Sequence, residues 1–316
     1  MTLHTFIRSC LSAPSGLVNL IALVGLAGLL GLTGCSTPPA LAQRVTLNST
    51  SDLVMHGEVT TWDALVARAA AADVVLLGEQ HDDALGHTVQ LALIEAVVSM
   101  TPNAAVAMEM LERDEQMLIH DYRDGVIDVD DFAAATNSTA WAGDGSWVAW
   151  YQPIVDVAIT HNCPVIAANA PRRYVRHART DGFESLGAMD TARRSLVVTP
   201  NPPLEGHYRQ RFMDLMQEHG GDIDPEIADA FFRAQSTWDA TMADSVLATT
   251  AKGHKPVFLL VGRFHTDHDG GTRQCIERAN PNLDVLSISL EPETFDPDAA
   301  QDTGPPQADI VILTGP

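Results

Sequence analysis

The stretch that decides the fold is Val74-Val75-Leu76-Leu77-Gly78-Glu79-Gln80-His81-Asp82-Asp83-Ala84-Leu85-Gly86-His87. It begins with four consecutive apolar residues, which is typical of a strand buried on both faces of a sheet. Gly78 ends this run, acidic and histidine side chains follow, and apolar residues then return at helical spacing from Leu85. The polar residues are therefore predicted where a strand ends and a helix begins. Ligands of open α/β sheets bind in that position.

Several later stretches repeat this apolar pattern, with helical patterns between most of them. The predicted strands are Ala105–Met110, Pro164–Ala168, Pro256–Val261 and Leu283–Leu290, with a short strand or hairpin at Leu53–Val59 and a last strand, Ala308–Leu313, at an edge. Strands joined by helices run parallel. We therefore predict an α/β fold with a mostly parallel sheet flanked by helices. A helical insertion or subdomain is predicted at about residues 174–252, between the third and fourth strands.

The charge balance narrows the class of partner. The 316 residues include 19 Lys and Arg against 41 Asp and Glu. Nucleic acids bind proteins through Lys and Arg on phosphates, so this balance argues against a nucleic-acid partner. It also argues against electrostatic attachment to anionic lipid.

The amino terminus is typical of an exported protein. An apolar run from Leu17 to Leu32 precedes Leu32-Thr33-Gly34-Cys35, which resembles the lipobox of bacterial lipoproteins. We predict a signal peptide over residues 1–34, acylation of Cys35, a flexible tether over residues 35–50 and an α/β domain over residues 51–316. The protein is then expected in the cell envelope, anchored by lipid in the outer membrane and facing the periplasm. A plain signal peptide or an uncleaved anchor is the alternative.

Two cysteines, Cys163 and Cys275, remain in the predicted mature domain. An exported compartment permits a disulfide between them. Two buried thiols are an equally good interpretation, because separation along the chain does not give separation in space.

Four of the predicted strands end in polar groups. They are Glu79 with His81, Glu109, Asn169 with Arg172, and His265. The carboxyl ends of parallel strands lie on one side of a sheet, so we expect these groups to converge on one site. Glu79, His81, Glu109 and His265 would suit a divalent metal or general acid–base work on a bound water. Each residue also has an ordinary alternative, such as capping a helix or forming an ion pair.

Four aromatic residues crowd one loop: Trp141, Trp147, Trp150 and Tyr151. Packing in a satellite core is the favoured interpretation, and a platform on which a ligand stacks is the other.

Short motifs in the chain resemble those of the ChaN-like haem-binding lipoproteins, part of a wider group of erythromycin-esterase-like and Tiki-like proteins. The matching pieces are Leu-Leu-Gly-Glu-Gln-His-Asp with the following His87, Met108-Glu109-Met110, Ala168-Asn169-Ala170-Pro171-Arg172, Gln235-x-x-Trp238-Asp239-x-x-Met242-Ala243 and Gly262-x-x-His265. They occur in the family's order, over about residues 73 to 270. The resemblance implies an α/β core with a helical subdomain, and haem binding in a pocket between them.

The resemblance further implies a role in haem and iron acquisition, a homodimer, and haem iron held by a tyrosine. Tyr208 is the first candidate for this ligand and Tyr174 the second. Arg172 would meet haem propionates, and His87 belongs to the same predicted cofactor set.

Hydrolases in the wider group use the Glu-x-His and Gly-x-x-His pieces. Carried over, this makes Glu79, His81, Glu109 and His265 catalytic or metal-binding residues, with His268 as an alternative to His265. A metal-dependent hydrolase of the esterase or peptidase type is therefore the rival to a haem-binding lipoprotein. The sequence does not decide whether the protein is an enzyme.

Overall fold

The central feature of the computed structural model is a sheet of eight strands. The structure describes residues 53–55, 58–136, 138, 141–220, 223–292 and 304–315. The strands are β1 (Leu53–Met55), β2 (Glu58–Val59), β3 (Val74–Glu79), β4 (Ala105–Glu112), β5 (Val165–Asn169), β6 (Val257–Gly262), β7 (Val285–Glu291) and β8 (Ile310–Leu313). Their order across the sheet is β2-β1-β8-β7-β3-β6-β4-β5.

The six strands from β8 to β5 pair in parallel, which confirms the predicted mostly parallel α/β sheet. Strands β1 and β2 form an antiparallel hairpin, and β1 pairs with β8. The expectation that Ala308–Leu313 lies at an edge is therefore wrong, because this hairpin covers the free side of β8.

Helices fill the connections. They are α1 (Trp62–Ala71), α2 (Ala84–Val98), α3 (Gln116–Arg123), α4 (Val129–Ala135), α5 (Gln152–Thr160), α6 (Arg172–Asp181), α7 (Phe183–Gly187), α8 (Thr191–Arg194), α9 (His207–Gly220), α10 (Pro225–Thr250) and α11 (Gly271–Ala279). Short 3-10 turns occur at Arg113–Glu115 and Arg263–His265, and a π-helical turn at Trp147–Tyr151 precedes α5.

The packing of strand β3 on both of its faces explains why its sequence is continuously apolar. Val75 and Leu77 belong to a buried cluster with residues of α1 and α2. Val74 and Leu76 belong to another cluster, with residues of α10 and α11. Side chains alternate between the two faces of a strand, so a strand covered by helices on both faces needs apolar residues at every position.

The described elements between β5 and β6 are helices. The longest of them, α10, packs directly on the sheet through Met242, Ala243 and Val246. Helix α6 packs on α10 through a separate cluster that includes Tyr174 and Ala234. Helix α10 is therefore a layer of the main fold and also the support for the helices that precede it.

Several predictions concern residues 1–50, including the signal peptide, acylated Cys35 and the tether, and these lie outside the described residues. Within the described ranges, no helix is long and apolar enough to cross a membrane. Cys163 and Cys275 are free thiols, and burial raises the pKa of each to about 12. The two cysteines therefore do not form a disulfide in this structure.

Candidate functional site

The strands that carry the predicted site residues are neighbours in the sheet, in the order β3-β6-β4-β5. Glu79 ends β3, Glu109 lies in β4, Asn169 ends β5, and His265 closes the turn after β6. The Asn169 side-chain amide donates a 2.8 Å hydrogen bond to the Glu109 carbonyl. The parallel pairing thus brings distant polar segments of the chain to one edge of the sheet.

The first part of the site is a buried carboxylate–imidazole pair. Glu79 Oε1 lies 2.8 Å from His81 Nδ1, and the same oxygen accepts a 2.7 Å hydrogen bond from the Tyr151 hydroxyl. The Gln90 amide donates to Glu79 Oε2 at 2.8 Å. Burial alone would raise the pKa of Glu79. Its hydrogen bonds and the nearby histidines together have a larger effect in the opposite direction, so the pKa of Glu79 lies below its ordinary value. Burial likewise opposes protonation of His81, yet Glu79 and Glu109 raise its pKa.

The second part is another such pair. His265 Nδ1 lies 2.7 Å from Asp239 Oδ1, which also accepts a 2.8 Å hydrogen bond from the Thr272 hydroxyl. Burial opposes protonation of His265, but Asp239 and Glu109 raise its pKa above the ordinary value. Asp239 is not among the site residues predicted from the sequence, although it belongs to one of the family-like motifs.

The sequence offers His268 as an alternative to His265, and the two histidines occupy different places in the structure. His265 is buried in this pair, whereas His268 Nδ1 lies 2.9 Å from the carbonyl of Pro305. The residue in the site is therefore His265.

Glu109 lies between the two pairs. Its Oε2 accepts a 2.6 Å hydrogen bond from the Gly262 amide, and its Oε1 is 3.6 Å from His265 Nε2. A Cβ atom at Gly262 would lie 3.1 Å from His81 Nε2. The site thus holds two imidazoles, each oriented by its own acid, around a third carboxylate. Such an arrangement can donate and accept protons.

The geometry does not support the predicted divalent metal. Among the described residues, no group of three or more His, Cys, Asp or Glu side chains is arranged to hold a metal ion. The acids of the site instead bond to the imidazoles, to Gly262 and to neighbouring hydroxyl and amide groups.

The tyrosines fall into two classes. Three hydroxyls donate to carboxylates: Tyr122 to Asp156, Tyr151 to Glu79 and Tyr208 to Asp239, each at 2.7 Å. Burial, and then the bonded carboxylate, raises the pKa of all three. No carboxylate bonds the hydroxyl of Tyr174 within the described residues, and the Arg173 guanidinium lies 4.6 Å from its ring centroid.

His87 is buried in a supporting position. Its Nδ1 is 2.9 Å from Gln90 Oε1, its Nε2 is 3.1 Å from the His81 carbonyl, and its ring stacks on Trp150 at 4.7 Å. In this conformation neither ring nitrogen is available to a cofactor. The predicted cofactor role of His87 is therefore not what its contacts favour.

The four aromatic residues that are close together in the sequence lie in different environments in the structure. Trp147 and Tyr151 are fully buried in the main core, as the packing interpretation predicts. Trp141 is only half-buried, and the Arg172 guanidinium lies over its ring, 4.7 Å from the centroid. Its ring also makes an edge contact with His81, with the centroids 6.0 Å apart. Trp141 and Arg172 are thus neighbours of the strand-exit site.

Comparison with known proteins gives a family and a fold. The family model described as haem-binding uptake, Tiki superfamily, ChaN, matches residues 65–276. A structure of ChaN from Campylobacter jejuni, described as binding haem cofacially, is 20% identical with a TM-score of 0.62, over 83% of this chain and 95% of that one. Erythromycin esterase EreC, in an open conformation, is 12% identical with a TM-score of 0.40, over 81% and 79%. No curated protein matches significantly.

Proposed function

The chain belongs to the ChaN family of haem-binding uptake proteins in the Tiki superfamily, and from this premise we propose that it binds haem. The observation that carries the proposal is the extent of the family match. Residues 65–276 include all four polar strand ends and the helices between β5 and β6. Bound haem would supply an iron centre that a protein side chain can ligate.

We assign the iron-ligating role to Tyr174. A tyrosine ligates haem iron through its phenolate oxygen, and a carboxylate hydrogen-bonded to the hydroxyl opposes loss of the proton. Tyr122, Tyr151 and Tyr208 have such a carboxylate, whereas Tyr174 has the Arg173 cation beside its ring. Tyr174 lies in the first turn of α6, where helical side chains lean towards the carboxyl edge of the sheet. Tyr174, whose hydroxyl no carboxylate bonds within the described residues, is therefore the tyrosine whose chemistry fits a ligand of haem iron.

A haem titration of the purified protein tests the proposal. We expect a saturable shift of the main haem absorption band with the spectrum of tyrosinate ligation. Tyr174→Phe should remove that spectrum, and Tyr122→Phe, which changes a distant tyrosine bonded to Asp156, is the matched control. A wild-type spectrum that stays that of free haem would overturn the proposal.

We also propose that the protein reaches the cell envelope as a lipoprotein and takes part in haem and iron acquisition. The support is the apolar run and the Leu32-Thr33-Gly34-Cys35 sequence. Labelling with a radioactive fatty acid should mark the wild type and not Cys35→Ser. Outer-membrane fractions should contain the protein, and growth on haem as the iron source should depend on it. Label retained by Cys35→Ser would exclude this anchor.

We propose in addition that two copies associate when haem is bound. The family resemblance supports this proposal. Light scattering after gel filtration should give a monomer mass without haem and twice that mass with it. A mass unchanged by haem would exclude haem-linked dimerisation.

The two acid–imidazole pairs favour a second candidate function, hydrolysis by general acid–base catalysis. Glu109 lies between imidazoles oriented by Glu79 and Asp239, so one imidazole can activate water while the other protonates a leaving group. Purified protein should hydrolyse activated esters or peptides, and Glu79→Gln or His265→Asn should lower kcat by about 100-fold or more. Equal rates in the variants would assign any hydrolysis to a contaminant.

A further inference from the structure

The indole of Trp141 carries a hydrogen-bond donor that the protein does not use. Its Nε1 atom is buried and has no hydrogen-bond partner among the described residues. A buried donor left without an acceptor costs about 1–3 kcal/mol. The ring is fixed by two neighbours, the His81 edge and the Arg172 guanidinium. The position of Trp141 is therefore determined by its neighbours, while its indole N–H has no acceptor among the described residues.

Arg172 has spare donors at the same place. A guanidinium carries five N–H groups, and the hydrogen bond described for this side chain is a long one, 3.4 Å from Nη1 to Glu112 Oε1. The side chain is 34% exposed. An arginine held over an aromatic ring keeps its N–H groups directed outwards in its own plane. Donors of Arg172 can thus approach the same region as the indole N–H.

We propose that Trp141 and Arg172 together bind a carboxylate group of the ligand, and, resting on the haem proposal, that this group is a haem propionate. The two oxygens of a carboxylate can each accept one hydrogen bond, one from the indole and one from the guanidinium. The cation supplies the charge-assisted part of the contact. Two independent features of the structure, an unused buried donor and an arginine with free N–H groups, are both explained by one acceptor.

The contact also gives the ligand a position relative to the site. His81 touches Trp141 and bonds Glu79 at the exit of β3, while Arg172 begins α6 after β5. A carboxylate held here lies at the same edge of the sheet as the strand-exit residues.

The test compares two forms of the same ligand in four proteins. Ferric haem and its dimethyl ester, which lacks the propionate charge, are titrated into wild type, Trp141→Phe, Arg172→Gln and the control Arg176→Gln, monitored by quenching of protein fluorescence. Phenylalanine keeps an aromatic ring under Arg172 and removes only the indole donor. Arg176 is an exposed arginine of the same helix.

Wild type and Arg176→Gln should bind haem about 10- to 100-fold more tightly than the ester, as for hydrogen bonds to charged groups. Trp141→Phe and Arg172→Gln should each lose most of this preference and bind the ester as wild type does. Circular dichroism and thermal unfolding check that both variants fold.

The two proposals fail in different ways. Wild type that binds haem and its ester equally, or variants that keep the preference, would overturn the carboxylate site and leave the haem proposal standing. Wild type that binds neither form would overturn both.

Discussion

The hydroxyl of Tyr208 donates a 2.7 Å hydrogen bond to Asp239 Oδ2, and the other oxygen of Asp239 lies 2.7 Å from His265 Nδ1. Tyr208 and Asp239 are both fully buried. Burial, and then the charge of Asp239, raises the pKa of Tyr208 well above its usual range. The residue that sequence reasoning placed first as an iron ligand is therefore part of the support that orients His265.

Replacing Tyr208 by phenylalanine should change the stability of the protein more than its affinity for haem. The substitution leaves a buried oxygen of Asp239 without its donor, so we expect a loss of about 1–2 kcal/mol in the free energy of unfolding. Haem affinity should stay within about 2-fold of wild type, because the lost hydroxyl donates inside the protein. Urea unfolding and a haem titration measure the two quantities. If Tyr208→Phe removed the tyrosinate spectrum and Tyr174→Phe preserved it, the ligand assignment would be reversed.

The Glu79–His81 pair predicts a charge state that can be measured directly. Burial opposes protonation of His81, but Glu79 holds its pKa above the ordinary histidine value of 6.5. The folded state therefore binds its proton more tightly than the unfolded chain does. This contribution to stability is complete below pH 6.5 and is lost as the pH rises through the folded-state pKa.

Glu79→Gln should lower the pKa of His81, since it removes the bonded negative charge. A titration of the His81 ring signals by NMR measures this effect. Glu112→Gln, which changes an acid on the next strand but one, is the control and should leave the His81 titration unchanged. A His81 pKa that does not fall in Glu79→Gln would show that the pair is not charged as described.

The elements of the fold could be predicted because their signals are local. The apolar run at β3 needs only its own residues to be recognised as a strand buried on both faces. Threonine is a residue type that caps helices, and the Thr61 hydroxyl at the start of α1 accepts a 3.2 Å hydrogen bond from the Ala64 amide. The grouping of Glu79, Glu109 and His265 also followed from local signals, once parallel strands put their carboxyl ends on one side.

Three features could not be predicted, because they depend on contacts between distant segments. Asp239 lies in the middle of a long helix and joins the site only through its packing against His265. His87 resembles His81 in the sequence, yet buried contacts engage both of its ring nitrogens. Strand β8 lies inside the sheet because β1, in the hairpin of β1 and β2, pairs with it. No local pattern specifies such pairings.

Gly271 is predicted to be indispensable for this packing. A Cβ atom added there would lie 2.5 Å from Tyr208 Cε1 and closer still to Asp239 Oδ2, and both of these residues are fully buried. Gly271→Ala should therefore reduce the free energy of unfolding by about 2 kcal/mol or more. Gly187→Ala is a matched control, because a Cβ atom there meets nothing within 4 Å.

Alanine at Gly187, which lies in α7, should be neutral or stabilise by up to about 1 kcal/mol. Urea unfolding of both variants measures the difference. Equal stability of the two would mean that α11 approaches Asp239 and Tyr208 less closely than the structure has it.

Glu115 gives the protein a pH-dependent stability that one substitution should remove. Burial, together with Glu112 and Asp114, raises the pKa of Glu115 from 4.5 to about 8. The folded state therefore keeps a proton that the unfolded chain releases above pH 4.5, so stability from this group falls as the pH rises from 4.5 to about 8. Because solvent screens a partly exposed carboxyl, the change is of the order of 1–2 kcal/mol.

Glu115→Gln has no proton to lose, so its stability relative to wild type should increase between pH 5 and about pH 8. Urea unfolding of both proteins across this range gives the difference between their free energies of unfolding at each pH. Contributions from groups that the two proteins share cancel in this difference. Glu184→Gln, at an exposed acid of α7, is the control and should follow wild type at each pH. A constant difference between Glu115→Gln and wild type would mean that Glu115 is already ionised in the folded protein at pH 5.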